Sequence, residues 1–168
     1  MDATQNTWAG RNMAIDLTEA NTLPPLSNKL FRIFARFEFS LKMAGFAYMR
    51  GDSVEIAWDR FANSVPIGRR FMAHVRDNNV CPTILAYPPK PDPIEQGRYG
   101  FAEHVALPDS VQDVFGAVRR VRNNLFHGGK YFDDDKTRNR LLVKEAIAVL
   151  LLAAEWHPEV NFIFEGRA

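Results

Sequence analysis

Four segments of the chain repeat apolar residues with the spacing of an amphipathic α-helix, and this repetition restricts the fold more than any other feature. They cover residues 26–44, 54–63, 110–127 and 136–156, and residues 69–76 continue the second after Pro66 interrupts it. No segment predicts a β-strand. Amphipathic helices with short late connections bury their apolar faces against one another, so the sequence predicts an all-α fold in which four main helices form an antiparallel bundle.

Capping and helix-breaking residues mark the ends of these helices. Gly45 stops the first helix, Asp52 or Ser53 caps the second, and Pro158 prevents extension of the last. The inner faces also include Val54, Val65 and Leu141. The core is predicted to contain Phe34, Phe37, Leu41, Trp58, Phe61, Val114, Val118, Leu125, Leu142, Val149 and Leu150.

Two parts of the chain lie outside this pattern. Residues 1–25 are polar and end in two prolines, as is typical of an arm or linker, so residues 26–168 are predicted to form a single domain. Residues 81–108 are rich in proline and glycine and predict an irregular insertion. The insertion is either packed surface structure or a functional loop, because it carries side chains suited to stacking on a base: Arg98, Tyr99, Phe101 and His104.

Composition narrows the classes of function. No run approaches the roughly 18 apolar residues of a membrane span, and the first residues lack the pattern of a secretory signal. The single cysteine, Cys81, cannot form an intramolecular disulfide, which indicates a reducing, cytoplasmic location. A net charge of +1 neither demands nor forbids nucleic acid. Neither a metal site nor a cofactor is predicted, because ligand spacings and a nucleotide-binding glycine loop are missing from the sequence.

Residues 119–130 concentrate positive charge at the end of the third long helix. The partial negative charge at a helix C-terminus favours the imidazolium form of His127, so this histidine can hold or deliver a proton near neutral pH. Arg122 falls on the apolar face of the helix, where an arginine needs a partner, and Glu38 of the first helix is the carboxylate that we predict.

Residues 122–127, with the sequence Arg-Asn-Asn-Leu-Phe-His, resemble the Arg-x4–6-His signature of the HEPN superfamily, including the polar residue after the arginine. The resemblance implies an antiparallel four-to-five-helix bundle that dimerises and, in many members, acts as a metal-independent endoribonuclease in toxin–antitoxin, antiviral or RNA-processing systems. It implies that His127 is the general acid/base, that Arg122 stabilises the phosphate and that Asn123 assists. Three other pairs fit the spacing: Arg69 with His74, Arg98 with His104 and Arg120 with His127. Arg69 lacks the polar follower, Arg98 lies outside a predicted helix, and only the Arg122 match combines the polar follower, the helix end and the position.

The predicted partners follow from this resemblance and from charge. RNA is the expected substrate, and Arg119, Arg120 and Lys130 are the predicted substrate-binding residues. A homodimer is expected because Phe39 and Met43 give the first helix a second apolar side. An antitoxin or another protein partner fits the same class. The alternative is a non-catalytic HEPN-like module for RNA binding or protein interaction, in which Arg122 forms a structural ion pair and His127 caps the helix.

Overall fold

The computed structural model of the chain describes residues 23–91, 94–95, 98–99, 105–126 and 135–167. Seven helices and four short strands lie in these ranges. The helices are α1 (Ser27–Met43), α2 (Trp58–Ala62), α3 (Gly68–Asp77), α4 (Pro82–Ala86), α5 (Val111–Phe126), α6 (Lys136–Trp156) and α7 (Pro158–Phe164). The strands are β1 (Ala47–Arg50), β2 (Ser53–Ile56), β3 (Ile94–Glu95) and β4 (Arg98–Tyr99).

The described part of the fold is mostly helical, as the apolar periodicity predicts. Helix α1 packs against α5, α6 and α7, while α5 also contacts α2, α3 and α4. Every side chain of the predicted core is buried in one continuous apolar cluster. Phe39 and Met43 are exposed on the opposite side of α1, as predicted.

Aromatic rings fill the centre of this cluster. The Phe61 ring is fully buried and lies 5.6 Å from the Phe37 ring, 5.3 Å from the Phe46 ring and 5.4 Å from the Phe115 ring, measured between centroids. These edge-on and tilted arrangements are the favoured geometries for aromatic pairs. Phe61 therefore joins α1, α2 and α5 through direct ring contacts.

The prediction of a helix over residues 54–63 is wrong for the first half of that range. Strands β1 and β2 pair there as an antiparallel hairpin, with Arg50 opposite Ser53 across the two-residue loop Gly51-Asp52. Gly51 has a φ of +58°, a conformation that favours glycine at the first loop position of a hairpin. Val54, predicted to face inward, is exposed on the hairpin. Val65, also predicted to face inward, is exposed because α2 ends at Ala62.

The insertion predicted as irregular over residues 81–108 contains regular elements, namely α4 and the paired strands β3 and β4. The buried carboxylate of Glu145, on α6, accepts hydrogen bonds from the backbone N–H groups of Thr83 (3.1 Å) and Ile84 (2.8 Å). These two N–H groups open α4 and have no partner within it, so Glu145 caps this short helix from a distance. These hydrogen bonds to Glu145 thereby hold the insertion against helix α6 of the bundle.

The end of the chain also differs from the prediction. Pro158 does end α6, but it also occupies the first turn of a further helix, α7, because proline is tolerated where the backbone N–H needs no partner. The guanidinium of Arg36 on α1 donates to the carbonyls of Ile163 and Phe164 at the end of α7. Leu141, predicted to face inward on α6, is 40% exposed.

Within the described ranges, no single helix is long and apolar enough to cross a membrane. Helices α6 and α7 reach the required length and apolar character only when taken together, and they are bent by 115° at the break between them.

His157, at the bend between α6 and α7, gives the fold a predicted dependence on pH. Its Nδ1 accepts a hydrogen bond from the Val160 N–H (3.4 Å), and its ring packs against Phe46 and Phe61. Burial lowers the pKa of His157 below its ordinary value, although the nearby Glu159 offsets part of the shift. The unfolded chain therefore takes up this proton at a higher pH than the folded chain. The contribution of His157 to stability is therefore full above a pH of about 7.5 and is lost as the pH falls through the unfolded pKa of about 6.5.

We expect the melting temperature to fall between about pH 7.5 and pH 5.5, with a loss of up to about 1.4 kcal/mol per pH unit from this one group. His157→Asn keeps an acceptor for the Val160 N–H but does not titrate, so its melting temperature should fall less over the same interval. Thermal unfolding followed by circular dichroism measures both. Equal decreases in melting temperature in the two proteins would contradict the assignment of this pH dependence to His157.

Candidate ribonucleotide site

Helix α5 carries residues 122–126 of the motif at its C-terminal end, and local capping fixes where the helix begins. The Asp113 carboxylate accepts from the Ser110 hydroxyl (2.6 Å) and from the Ser110 N–H (3.1 Å), while the Ser110 hydroxyl oxygen accepts from the Asp113 N–H (3.2 Å). This reciprocal arrangement is a capping box, and the hydrogen bond from the Ser110 hydroxyl lowers the pKa of Asp113. His127 and Lys130 lie outside the described residues.

Arg122 lies between α5 and α1. Its guanidinium is 3.6 Å from the Glu38 carboxylate, which confirms the predicted ion pair, and it lies 4.6 Å from the centroid of the Phe34 ring. One turn further along α5, the Phe126 ring contacts the Phe31 ring at 6.4 Å. Helices α1 and α5 therefore run antiparallel here, since Phe31 precedes Glu38 while Phe126 follows Arg122.

The Arg122–Glu38 pair is less buried than its place on the apolar face predicts. The side chains are 30% and 27% exposed, so water still reaches both charges. An ion pair with this exposure contributes little stability, about 1 kcal/mol or less. The guanidinium is held in place yet remains accessible from one side.

The other predicted site residues of α5 divide between two sides of the helix. Arg119 is exposed, with its guanidinium 5.5 Å from the Trp58 ring centroid. Arg120, predicted to bind substrate, donates instead to the Pro89 carbonyl (3.1 Å). Asn123 is half-buried beside Arg122. Asn124, which is fully buried, donates to the Lys90 carbonyl (2.9 Å).

A hollow of about 420 Å³ opens between α1, α5 and the β1–β2 hairpin, next to the Arg122–Glu38 pair; we call it the hairpin hollow. It is lined by Glu38, Lys42, Arg50, Val54, Glu55, Ile56, Trp58 and Arg119. A second hollow of about 370 Å³ shares four of these residues: Glu55, Ile56, Trp58 and Arg119. The two hollows therefore adjoin each other next to α5.

Hydrogen bonds order the polar face of the hairpin that borders the hollow. The Tyr48 hydroxyl donates to Glu55 Oε2 (2.7 Å), and Arg50 Nη1 lies 3.3 Å from Glu55 Oε1. The hydrogen bond from Tyr48 lowers the pKa of Glu55, and the same bond raises the pKa of Tyr48. Glu55 is thus a carboxylate at neutral pH.

Sequence reasoning missed the contribution of Tyr48, Arg50 and Glu55, because it placed part of this region in a helix. The signal for the hairpin was present, since the Gly51-Asp52 pair separates two short runs that contain β-branched and aromatic residues. Lys42 was also missed, because its place in the hollow depends on how α1 meets the hairpin.

Among the residues that the structure describes, no group of three or more histidine, cysteine, aspartate or glutamate side chains could hold a metal ion. Comparison with known protein families, curated proteins and solved structures finds no match for the chain. The motif and the geometry around Arg122 are therefore the features from which a function can be inferred.

Proposed function

We propose that the chain is a metal-independent endoribonuclease of the HEPN type that acts as a homodimer. The observation that carries this proposal is the placement of Arg122. Its guanidinium is fixed by Glu38 and Phe34 and stays partly exposed, and Glu38 also lines a hollow that contains three further cations. An ordered, partly exposed guanidinium is well suited to the charge that develops on a phosphate during cleavage.

The reaction needs no metal. The ribose 2′-oxygen attacks the adjacent phosphorus, a new 2′-oxygen–phosphorus bond forms, and the bond from phosphorus to the 5′-oxygen breaks. The 2′-hydroxyl loses a proton and the departing 5′-oxygen gains one, which leaves a 2′,3′-cyclic phosphate and a 5′-hydroxyl. His127 serves as the acid/base for these transfers, Arg122 stabilises the negative charge on the phosphate, and Asn123 assists by orienting it. In a dimer with two-fold symmetry, two copies of the motif meet in one cleft.

Cleavage of a labelled single-stranded RNA in the presence of EDTA tests the proposal. We expect the wild-type chain to cut the RNA and leave cyclic phosphate ends. His127→Ala should lower the rate by about 100-fold or more, because general acid–base catalysis contributes roughly 10²–10⁴.

His74→Ala is the matched control. His74 belongs to a motif of the same spacing, but its ring packs on Trp156 (5.0 Å) and contacts the Asn78 amide, away from the hollow. The His74→Ala variant should cleave RNA at the same rate as the wild type. A wild-type protein that cuts no RNA, or His127→Ala with full activity, would contradict the proposal. Light scattering that shows only monomers at micromolar concentration would contradict the shared cleft.

The second candidate is a non-catalytic module that binds RNA or a protein partner such as an antitoxin. The observation that favours it is that the Arg122 guanidinium already has two partners, Glu38 and Phe34, as a purely structural arginine would. Such a protein would be inert in the cleavage assay and would bind RNA or co-purify with its partner.

A further inference from the structure

The hairpin hollow has more positive than negative charge, and its position relative to Arg122 is defined. Glu38 lines the hollow and also pairs with Arg122, while Arg119 lies three residues before Arg122, or about 4.5 Å along the helix axis. In the described part of the chain, neither Lys42 nor Arg119 has a carboxylate within ion-pair distance. An RNA strand with its phosphate at Arg122 therefore brings a neighbouring nucleotide to this hollow.

Glu55 is the feature of the hollow that phosphate binding alone does not explain. A carboxylate beside Arg119 and Arg50 repels a phosphate, so it weakens a site that only binds anions. A carboxylate does help where the ligand offers N–H donors, because it accepts hydrogen bonds through two oxygens. Tyr48 and Arg50 each engage one oxygen of Glu55, whose side chain remains 38% exposed, so acceptor capacity remains toward solvent.

Among the RNA bases, guanine matches this carboxylate best. Its Watson–Crick edge presents two adjacent donors, N1–H and the N2 amino group, whereas adenine, cytosine and uracil each present only one donor group on that edge. Tyr48 lines the second hollow beside Glu55 and is 47% exposed, and an exposed aromatic side chain can stack on a base. The volume of about 420 Å³ is within the usual range for small-ligand sites.

We infer that the hairpin hollow is a nucleotide subsite that holds a guanosine of single-stranded RNA next to the position of Arg122. In this subsite Lys42, Arg50 and Arg119 attract the phosphates, Glu55 accepts from the guanine edge, and Tyr48 stacks on the base. The inference deepens the proposed function, from which it takes RNA as the ligand, and it makes the hairpin the element that selects the sequence to be bound.

The test is binding of two labelled RNA octanucleotides, one of uridines only and one with a central guanosine, to the His127→Ala chain, measured by fluorescence anisotropy. The guanosine oligonucleotide should bind about tenfold more tightly, as expected for one bidentate contact. Adding Glu55→Gln should abolish this preference, while binding of the uridine oligonucleotide stays equal or strengthens because a negative charge is lost.

Arg119→Ala probes the phosphate contacts in the same background. It should weaken binding of both oligonucleotides alike and reduce the slope of log affinity against log salt by about one contact. Arg70→Ala is its matched control, since Arg70 is exposed on α3, outside the hollow, and its loss removes the same charge.

Three results would overturn the inference. The first is that neither RNA binds, and the second is that Glu55→Gln raises the affinity for both oligonucleotides equally. The third is that Arg70→Ala lowers the affinity as much as Arg119→Ala does. These outcomes are separable from failure of the proposed function, because binding is measured in a chain that lacks His127. Selective binding with no cleavage by the wild type would support the subsite and reject the ribonuclease. Cleavage by the wild type without selective binding of the guanosine oligonucleotide would support the ribonuclease and reject the subsite.

Discussion

Arg122→Ala is expected to lower the rate of RNA cleavage by about 100-fold or more while lowering the free energy of unfolding by only about 1–2 kcal/mol. The activity loss follows from removing the cation that stabilises the charged phosphate. The stability loss is small because the ion pair with Glu38 is partly exposed and the contact with the Phe34 ring adds about 1 kcal/mol or less. The 3–5 kcal/mol that a buried pair would imply does not apply.

Glu38→Gln is the matched control for this prediction. It removes the same ion pair from the other side but leaves the guanidinium of Arg122 in the site. Its unfolding free energy should fall by a similar amount, while its cleavage rate should fall far less than that of Arg122→Ala. Denaturant unfolding and single-turnover cleavage measure the two effects. Equal activity losses in the two variants would indicate that Arg122 acts only through the ion pair.

Phe61→Ala is expected to lower the free energy of unfolding by about 3–5 kcal/mol. The Phe61 ring is fully buried, and four rings surround it: those of Phe37, Phe46, Phe115 and His157. Neighbours from four separate parts of the chain cannot all move into the space that the ring leaves, so a cavity remains and its cost adds to the lost burial. For a chain of this length, the melting temperature should drop by roughly 10 °C.

Phe39→Ala provides the comparison, because Phe39 is 46% exposed on the outer side of α1 and contacts mainly the guanidinium of Arg36. Its removal should cost about 1 kcal/mol or less. Thermal and denaturant unfolding of both variants measure the difference. Losses of equal size would show that the aromatic cluster does not hold the fold together as described.

The sequence predicted the parts of the fold that depend on helical periodicity. The core residues of α1, α5 and α6 could be named because apolar side chains return to one face every three or four positions. The same rule failed at the hairpin. Val54, Trp58 and Phe61 also fall on one face of an ideal helix, yet Val54 belongs to β2 while Trp58 and Phe61 belong to α2. Spacing alone does not separate a short strand followed by a short helix from a single helix.

The candidate site was predictable only in part, for a related reason. The pairing of Arg122 with Glu38 followed from a charge on an apolar face, which requires a partner. Arg120 and Asn124 donate to backbone carbonyls of a proline-rich segment that is more than thirty residues away in the chain. No local sequence pattern predicts such contacts. Helix α7 was missed because proline can both end one helix and begin the next.

Four successive carbonyls of the proline-rich segment, those of residues 87–90, accept hydrogen bonds from Arg138 on α6 and from Arg120 and Asn124 on α5. Helix α5 is thus anchored on one side, while on another side Arg119 lines the hairpin hollow and Arg122 pairs with Glu38. A helix held on one side cannot turn about its own axis without breaking these bonds. The rotation of α5 about its axis, and with it the direction of the Arg119 and Arg122 side chains, is therefore restrained by a segment that does not itself line the hollow. A substitution that breaks the hydrogen bonds between this segment and α5 would change where the two arginines point.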